Sequence, residues 1–452
     1  MKHWTPEHLA TSAGATLVAA GPGPAGPERV TIDSRTAGDG ALFVGLPGSS
    51  QDGGAFALAA LEAGAWGVLV TPAHAAAARE AGSGAVLVTE DPLRSLQALA
   101  TAWRRELDAQ VIGVTGSTGK TSTKDILAAL LRPHRRTLAS RANYNTEIGL
   151  PLEILAAPPD TELLVLEMAM RGPGQIAELA AIAEPDVGVI VSIGPVHLEL
   201  LGTIENVAAA KAELIAGMAA GATAVVPTRE RLLDPHLRPD VQTVTFGDGG
   251  DVRYERQEDD AVLIDARGER IELEVNFQQA HLRTDLLAAV AAARAVGVTP
   301  GGRVELALSA GRGQSIALPG GVTVIDGCYN ANPMSMRAAL ADLADSAARN
   351  GASRRVAVLG DMLELGPDRR AYHLELGQLA TEAGVDLLVT VGPLAAAIAE
   401  RYDGDAQIVA DSGEAAAIVP ELLQPGDLVL VKGSLGVGLK QVCDALGVGE
   451  QS

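Results

Sequence analysis

The stretch GVTGSTGKTSTK, residues 113–124, constrains this chain more than any other. An apolar strand, VIGVTG, runs into the turn GSTG, and the turn runs into a helical pattern, TSTKDILAALLR. In that order the backbone N–H groups of Gly116 to Thr121 converge on one point faced by the positive end of the helix. Such a point suits phosphate oxygens. Thr115, Gly116, Ser117, Thr118, Gly119, Lys120, Thr121 and Ser122 are the expected lining. Lys120 would reach the outer phosphates, and the Thr121 hydroxyl is placed for Mg²⁺. The competing reading is a bare glycine turn between strand and helix. The strict pattern asks for Gly at position 114, where this chain has Val, so the loop is a variant.

A chain of 452 residues exceeds one hydrophobic core, and three blocks emerge. Residues 1–104 hold short strands (ALFVGLPG, GVLV, AVLVTE) between Ala-rich helices. Residues 105–312 hold continuous apolar strands (VIGVTG, LLVLEM, VGVIVSIG, AVVPT) alternating with helical patterns, as in a parallel sheet covered on both faces. Their segment 251–276 alternates polar and apolar residues and predicts an antiparallel patch on that sheet. Residues 313–452 repeat the strand–helix alternation, predicting a second doubly wound domain. GPGPAGP, residues 21–27, reads as a loop.

The charge, 35 basic against 56 acidic residues or −21, provides no field for nucleic acid or an anionic membrane. An anionic substrate must therefore be held by local donors. Two cysteines, Cys328 and Cys443, cannot make a disulfide framework and fit a reducing compartment. No basic-then-apolar leader and no uninterrupted run of about 18 apolar residues is visible. The expectation is a soluble cytoplasmic protein without membrane insertion, and a monomer.

TGSTGKT with this offset resembles the Mur ligase family, the ATP-dependent amide ligases of bacterial cell-wall synthesis. DSRTAGDGALFVGLPG (33–48), NYNTEIGLP (143–151), LEMAMRGPGQIAEL (166–179), GPVHLELLG (194–202), AAKAEL (209–214), CYNANPMSM (328–336), VLGDMLELG (358–366) and LVKGS (430–434) support it in family order. The resemblance implies three α/β domains. A central parallel-sheet P-loop ATPase domain is flanked by an N-terminal UDP-substrate-binding domain and a C-terminal Rossmann-like domain that takes an incoming dipeptide. YNANP, rather than the YAHTP-like form of sister enzymes, implies that UDP-N-acetylmuramoyl-tripeptide is joined to D-alanyl-D-alanine. ATP becomes ADP and phosphate, through an acyl phosphate on the tripeptide.

The same resemblance distributes roles. Glu167 and His197 hold Mg²⁺, with Thr121 on the nucleotide side, and Lys211 joins them as a carbamate derived from CO₂. With Lys120 these form the catalytic set. Asn145, Thr146 and Glu147 lie near the acceptor chemistry; Ser34 and Arg35 hold the UDP end; Asn330, Asn332, Pro333 and Lys432 receive the dipeptide. Arg312 reaches the triphosphate, and Asp285 and Asp326 complete the nucleotide side. Several positions depart from the family pattern. Asp285 stands for an Asn that reads the adenine edge, and an ionised Asp can accept but not donate. Gly327 replaces an Asp, Ala169 a Gly, Leu435 an Arg, and Gly54 the His of a DGH motif. Three alternatives stay open at this point: a sister ligase adding a single amino acid, a weakly active or non-catalytic UDP-sugar-binding relative, and a simple P-loop NTPase or kinase.

Overall fold

The computed structural model describes residues 1–448 apart from Pro22, Pro24, Ala142 and residues 308–310. Two prolines of the 21–27 loop thus lie outside the described residues. Among the described residues three sheets organise the fold, of five, ten and six strands.

In the central sheet the strand Gln110–Thr115 lies between Leu163–Glu167 and Val187–Ile190, parallel to both. All three are buried almost throughout, which is why they read as unbroken apolar runs. From Gln110–Thr115 the chain goes out to the edge strand Thr137–Ala139 and returns through Leu163–Glu167. It then crosses to Val187–Ile190 on the far side. That reversal opens a crevice at the carboxyl end of Gln110–Thr115, where the glycine turn sits. Outward lie Thr223–Pro227 and Gln242–Phe246, parallel, and then Val252–Glu258, Ala261–Ala266 and Glu269–Val275. The antiparallel pairings of these last three make the expected patch.

Alternate residues of the central strand feed two cores. Ile112 and Val114 face the helices Lys120–Leu131 and Ala280–Ala295 through Ile126, Leu127, Leu286 and Val290, and Val111 joins the opposite core with Leu164 and Leu214. Fully burying a side chain such as Leu286 contributes roughly 1.5–3 kcal/mol. The N-terminal block shares that opposite core. The helix Pro92–Leu107 runs across residue 104, its Trp103 is buried edge-on against Trp4, and Trp103 Nε1 donates to the Ala157 carbonyl at 3.1 Å. The N-terminal sheet has four parallel strands and one antiparallel edge, Thr16–Ala20.

The third sheet begins after Gly311–Gly313. Gln314–Ala317 pairs antiparallel with Thr323–Gly327, and Asp427–Lys432, Arg354–Gly360, Leu387–Val391 and Asp405–Val409 continue it in parallel. Among the described residues no helix is long and apolar enough to cross a membrane.

Candidate active site

The glycine turn is braced from the next strand end, by a residue not singled out in sequence. Ser192 accepts the Thr118 N–H at 2.9 Å through its hydroxyl, and its carbonyl accepts from the Ser117 N–H at 2.9 Å. Ser117 Oγ in turn bonds the Gly194 backbone. Gly119 takes φ +80, and a Cβ there would strike the Asp285 carboxyl and Val191, so only glycine fits. Lys120 Nζ donates to the Gly116 carbonyl at 2.8 Å, folding back over the loop. Ser122 is half-buried at the start of the helix, while Thr115 is buried at the strand end with its hydroxyl unpartnered among the described residues.

Across the crevice Glu167 is buried, and its two oxygens are clasped by neutral donors, Thr121 Oγ1 at 2.7 Å and Asn145 Nδ2 at 2.8 Å. A carboxylate out of water with no direct cationic partner is poised for one. Lys211, on the helix Ile204–Ala216, is 2% exposed. Burial and then the Lys120 cation push its ammonium well below the ordinary lysine range. Lys120 is itself pushed down, by burial first and the Arg312 cation last, while Glu167 pulls it up. His197 follows the strand Val187–Ile190 at φ +52. Burial lowers its pKa, Glu364 raises it, and Lys211 and Lys120 lower it again. Those cross-influences put Lys120, Glu167, Lys211, His197 and Arg312 in one electrostatic neighbourhood.

The C-terminal domain closes one side. Arg312 lies 4.0 Å above the Tyr329 ring, and the Tyr329 hydroxyl bonds Asn143 of the central domain. Met334 packs its sulfur on Gly194, where no side chain would fit. Asp326 faces its own domain: its oxygens accept the Gly311 and Cys328 N–H groups at 3.1 Å each, and the Cys443 thiol lies 3.5 Å away. It steadies the left-handed glycine beside Arg312. The two cysteines, far apart in sequence, therefore meet in the fold, and the Cys328 thiol and burial push the Cys443 thiol up.

Asn332 and Pro333 start the helix Pro333–Asn350. The Asn332 carbonyl oxygen Oδ1 accepts the Ser335 N–H at 2.9 Å, and Ser335 Oγ accepts the Asn332 N–H at 3.1 Å, a reciprocal cap. Lys432 is buried and donates to the Asn330 carbonyl at 2.8 Å; burial and then Arg312 bring its pKa down to about 8. Asn330 itself is exposed. Thr146 and Glu147 sit on an exposed turn beside the helix Pro92–Leu107, where the Glu147 carbonyl accepts from Gln97 at 3.2 Å.

In the N-terminal domain Ser34 and Arg35 form one 3₁₀ turn capped by Asp33, and the exposed Arg35 guanidinium forks onto that Asp33. At Gly54 the missing side chain has a substitute. The imidazole of His74, from the helix Pro72–Glu80, fills the space a Cβ at 54 would take and bonds Asp52 at 2.7 Å. Gly54→Ala should therefore cost about 1–3 kcal/mol by overpacking. Thermal melts should recover most of that loss in a His74→Ala background; equal losses in both backgrounds would show that the space is not shared.

Other departures resolve on their geometry. Ala169 is absent from the residues with left-handed backbone, so it carries no strain there. A Cβ at Gly327 would lie 3.2 Å from the Val431 carbonyl, so any side chain there needs that backbone to give slightly. Leu435 is 67% exposed, and nothing in the structure explains it. Asp285 sits where ionisation is disfavoured. It is 4% exposed, its Oδ2 has no hydrogen-bond partner among the described residues, and burial holds its pKa well above the usual carboxylate range against the pull of Ser122 and Thr123. In its protonated form an Asp both donates and accepts, as an amide does.

Fold and site together define a class: three-domain α/β proteins in which a phosphate loop, a buried acid, a histidine and a buried lysine meet at an interdomain crevice. A profile described as Mur ligase middle domain matches residues 114–293, and one described as Mur ligase, glutamate ligase domain matches residues 311–435. The UDP-N-acetylmuramoyl-tripeptide--D-alanyl-D-alanine ligase of Synechocystis sp. is 36% identical over 428 residues, covering 92% of this chain and 91% of its own. That of Bacillus subtilis is 34% identical over 426 residues, covering 91% and 92%. Among solved structures, MurF from Acinetobacter baumannii superposes with a TM-score of 0.85 at 28% identity, covering 98% of each chain. MurF ligase from Thermotoga maritima in complex with ADP gives 0.79 at 28% identity, covering 92% of this chain and 96% of its own. The chain belongs to the Mur ligase family.

Proposed function

We propose that this chain joins D-alanyl-D-alanine to UDP-N-acetylmuramoyl-tripeptide, with ATP converted to ADP and phosphate, and that it works as a monomer. The relatives at 34–36% identity over nine-tenths of the chain support that reading. The observation that carries the chemistry is the Glu167 carboxylate clasped between Thr121 of the phosphate loop and Asn145. The donor set fits a hard divalent ion: a buried carboxylate with only neutral partners, a loop hydroxyl and an imidazole at the same crevice. Thr121, Glu167 and His197 would hold Mg²⁺, which neutralises charge between converging anions. Lys211 fits carbamylation, since only an uncharged amine adds to CO₂, and burial and the Lys120 cation both favour the uncharged form of this one. Its product would turn a would-be cation into an anionic ligand.

The chain's own groups then do the rest. Loop N–H groups and Lys120 hold the outer phosphates, and Arg312 approaches from the third domain. The tripeptide carboxylate attacks the γ-phosphorus; its O–P bond forms as the bond to the ADP oxygen breaks. The dipeptide amine next attacks the acyl carbon, and phosphate leaves with the carboxylate's oxygen. Tyr329 and Met334 bring the C-terminal domain down on the crevice and exclude the water that would hydrolyse the acyl phosphate. A protonated Asp285 would offer a purine edge a donor and an acceptor together. With ¹⁸O in the tripeptide carboxylate, one label should appear in the released phosphate, and ADP release should depend on D-alanyl-D-alanine. Label-free phosphate, or release indifferent to the dipeptide, would favour a simple NTPase.

A further inference from the structure

Glu364 lies in the loop after the strand Arg354–Gly360, in the third domain, yet its side chain meets the central one. Its Oε2 is 2.5 Å from His197 Nδ1, and its backbone carbonyl accepts from the Glu199 N–H at 3.2 Å. Both partners hold left-handed backbone, His197 at φ +52 and Glu364 at φ +61, a conformation that non-glycine residues keep only when their surroundings enforce it. Gly366, at φ +67, brings its loop so near that a Cβ there would lie 3.4 Å from the Leu198 backbone. Two chain segments from different domains are thus shaped to one another around a single imidazole–carboxylate contact.

An imidazole has two nitrogens, and the partner of one decides what the other offers. A carboxylate on Nδ1 holds the proton there, turning Nε2 and its lone pair toward the crevice. Among the described residues the His197 ring has no hydrogen-bond partner from the central domain. The geometry points to Glu364 as a positioning residue that sets the His197 tautomer and ring orientation as the acceptor-binding domain docks, so that the ion site is completed only in the closed enzyme. The inference rests on the reading of His197 as an ion ligand. It gives a physical reason for the order of events: the carboxylate is not activated until the domain carrying the amine is seated, and a short-lived acyl phosphate is never formed in an open, wet crevice.

The test measures ion binding apart from turnover. Mn²⁺ is titrated into the full chain with a non-hydrolysable ATP analogue and UDP-muramoyl-tripeptide, and free Mn²⁺ is followed by electron paramagnetic resonance. Glu364→Ala should weaken Mn²⁺ binding about 10-fold or more, the usual effect of losing a carboxylate behind a metal-binding histidine. Glu364→Gln, which keeps an acceptor for the Nδ1 proton, should lose less. His197→Ala/Glu364→Ala should bind no more weakly than His197→Ala alone, since the two act as a unit. Unchanged Mn²⁺ affinity in both Glu364 variants, whatever turnover does, would overturn the inference, as would additive losses in the double variant. Unchanged affinity in His197→Ala would instead remove the ligand role of His197 on which the inference stands.

Discussion

Lys211→Met is expected to lower ligase turnover by roughly 100-fold or more, a loss on the scale of disrupting a metal site, and in the same protein to raise the melting temperature. The two effects have one cause. Lys211 is 2% exposed, and both influences on its ammonium, burial and the Lys120 cation, act against the charge. In the unfolded chain the amine titrates near 10.4, so below that pH unfolding takes up a proton that the folded state does not hold. Each unit by which the folded pKa lies lower corresponds to about 1.4 kcal/mol of stability forgone. Methionine keeps the length of the side chain and removes the penalty. The penalty is full below the depressed pKa and shrinks as pH rises from there to about 10.4, so the advantage of the variant should be larger at pH 7 than at pH 9. Melts are run without divalent ion in CO₂-depleted buffer, where no carbamate compensates. A variant less stable than the parent at every pH would show that Lys211 is charged and paired in the fold, and the carbamate reading would lose its physical basis.

That trade explains which parts of the site could be read from sequence. The strand–turn–helix at 110–131, the parallel core strands and the antiparallel patch at 252–275 rest on local signals: apolar period, glycine placement and alternation. Glu167, which ends a strand, and His197, which comes after one, stand where a doubly wound sheet presents its chemistry, although their ligand roles came from the family resemblance. What escaped depends on long-range closure. Nothing near Glu364 signals that it will meet His197, nor does the stretch around His74 announce that it fills the space at Gly54. Ser192 was within a quoted strand, but its bracing of Thr118 needs the turn and the strand side by side. Asn332 is the reverse case. Asn, Pro and Ser at the cap, first and third helical positions form a helix-start signal, and the structure uses Asn332 Oδ1 for that cap.

Asp285→Asn should stabilise the protein at neutral pH and do so with a diagnostic slope. The residue lies inside the helix Ala280–Ala295 where it packs on the phosphate-loop helix, with its Oδ2 unpartnered among the described residues. Burial raises its pKa well above the ordinary value, so the folded state keeps a proton that the unfolded chain releases near pH 4. Between those two pKa values folding binds a proton, and stability falls as pH rises, by about 1.4 kcal/mol per pH unit. Asparagine has the same shape and does not titrate. Denaturant midpoints for parent and variant should therefore lie close together near pH 4 and separate steadily toward neutrality, with the variant higher. A constant gap would mean that the carboxylate is ionised in the fold and held by a donor, and the neutral-acid reading would fail. The nucleotide gives an independent check. A protonated acid and an amide present the same donor and acceptor, so the KM for ATP at pH 7 should be similar in the two proteins, whereas an ionised Asp285 would repel one edge atom of the purine and the amide would lower that KM.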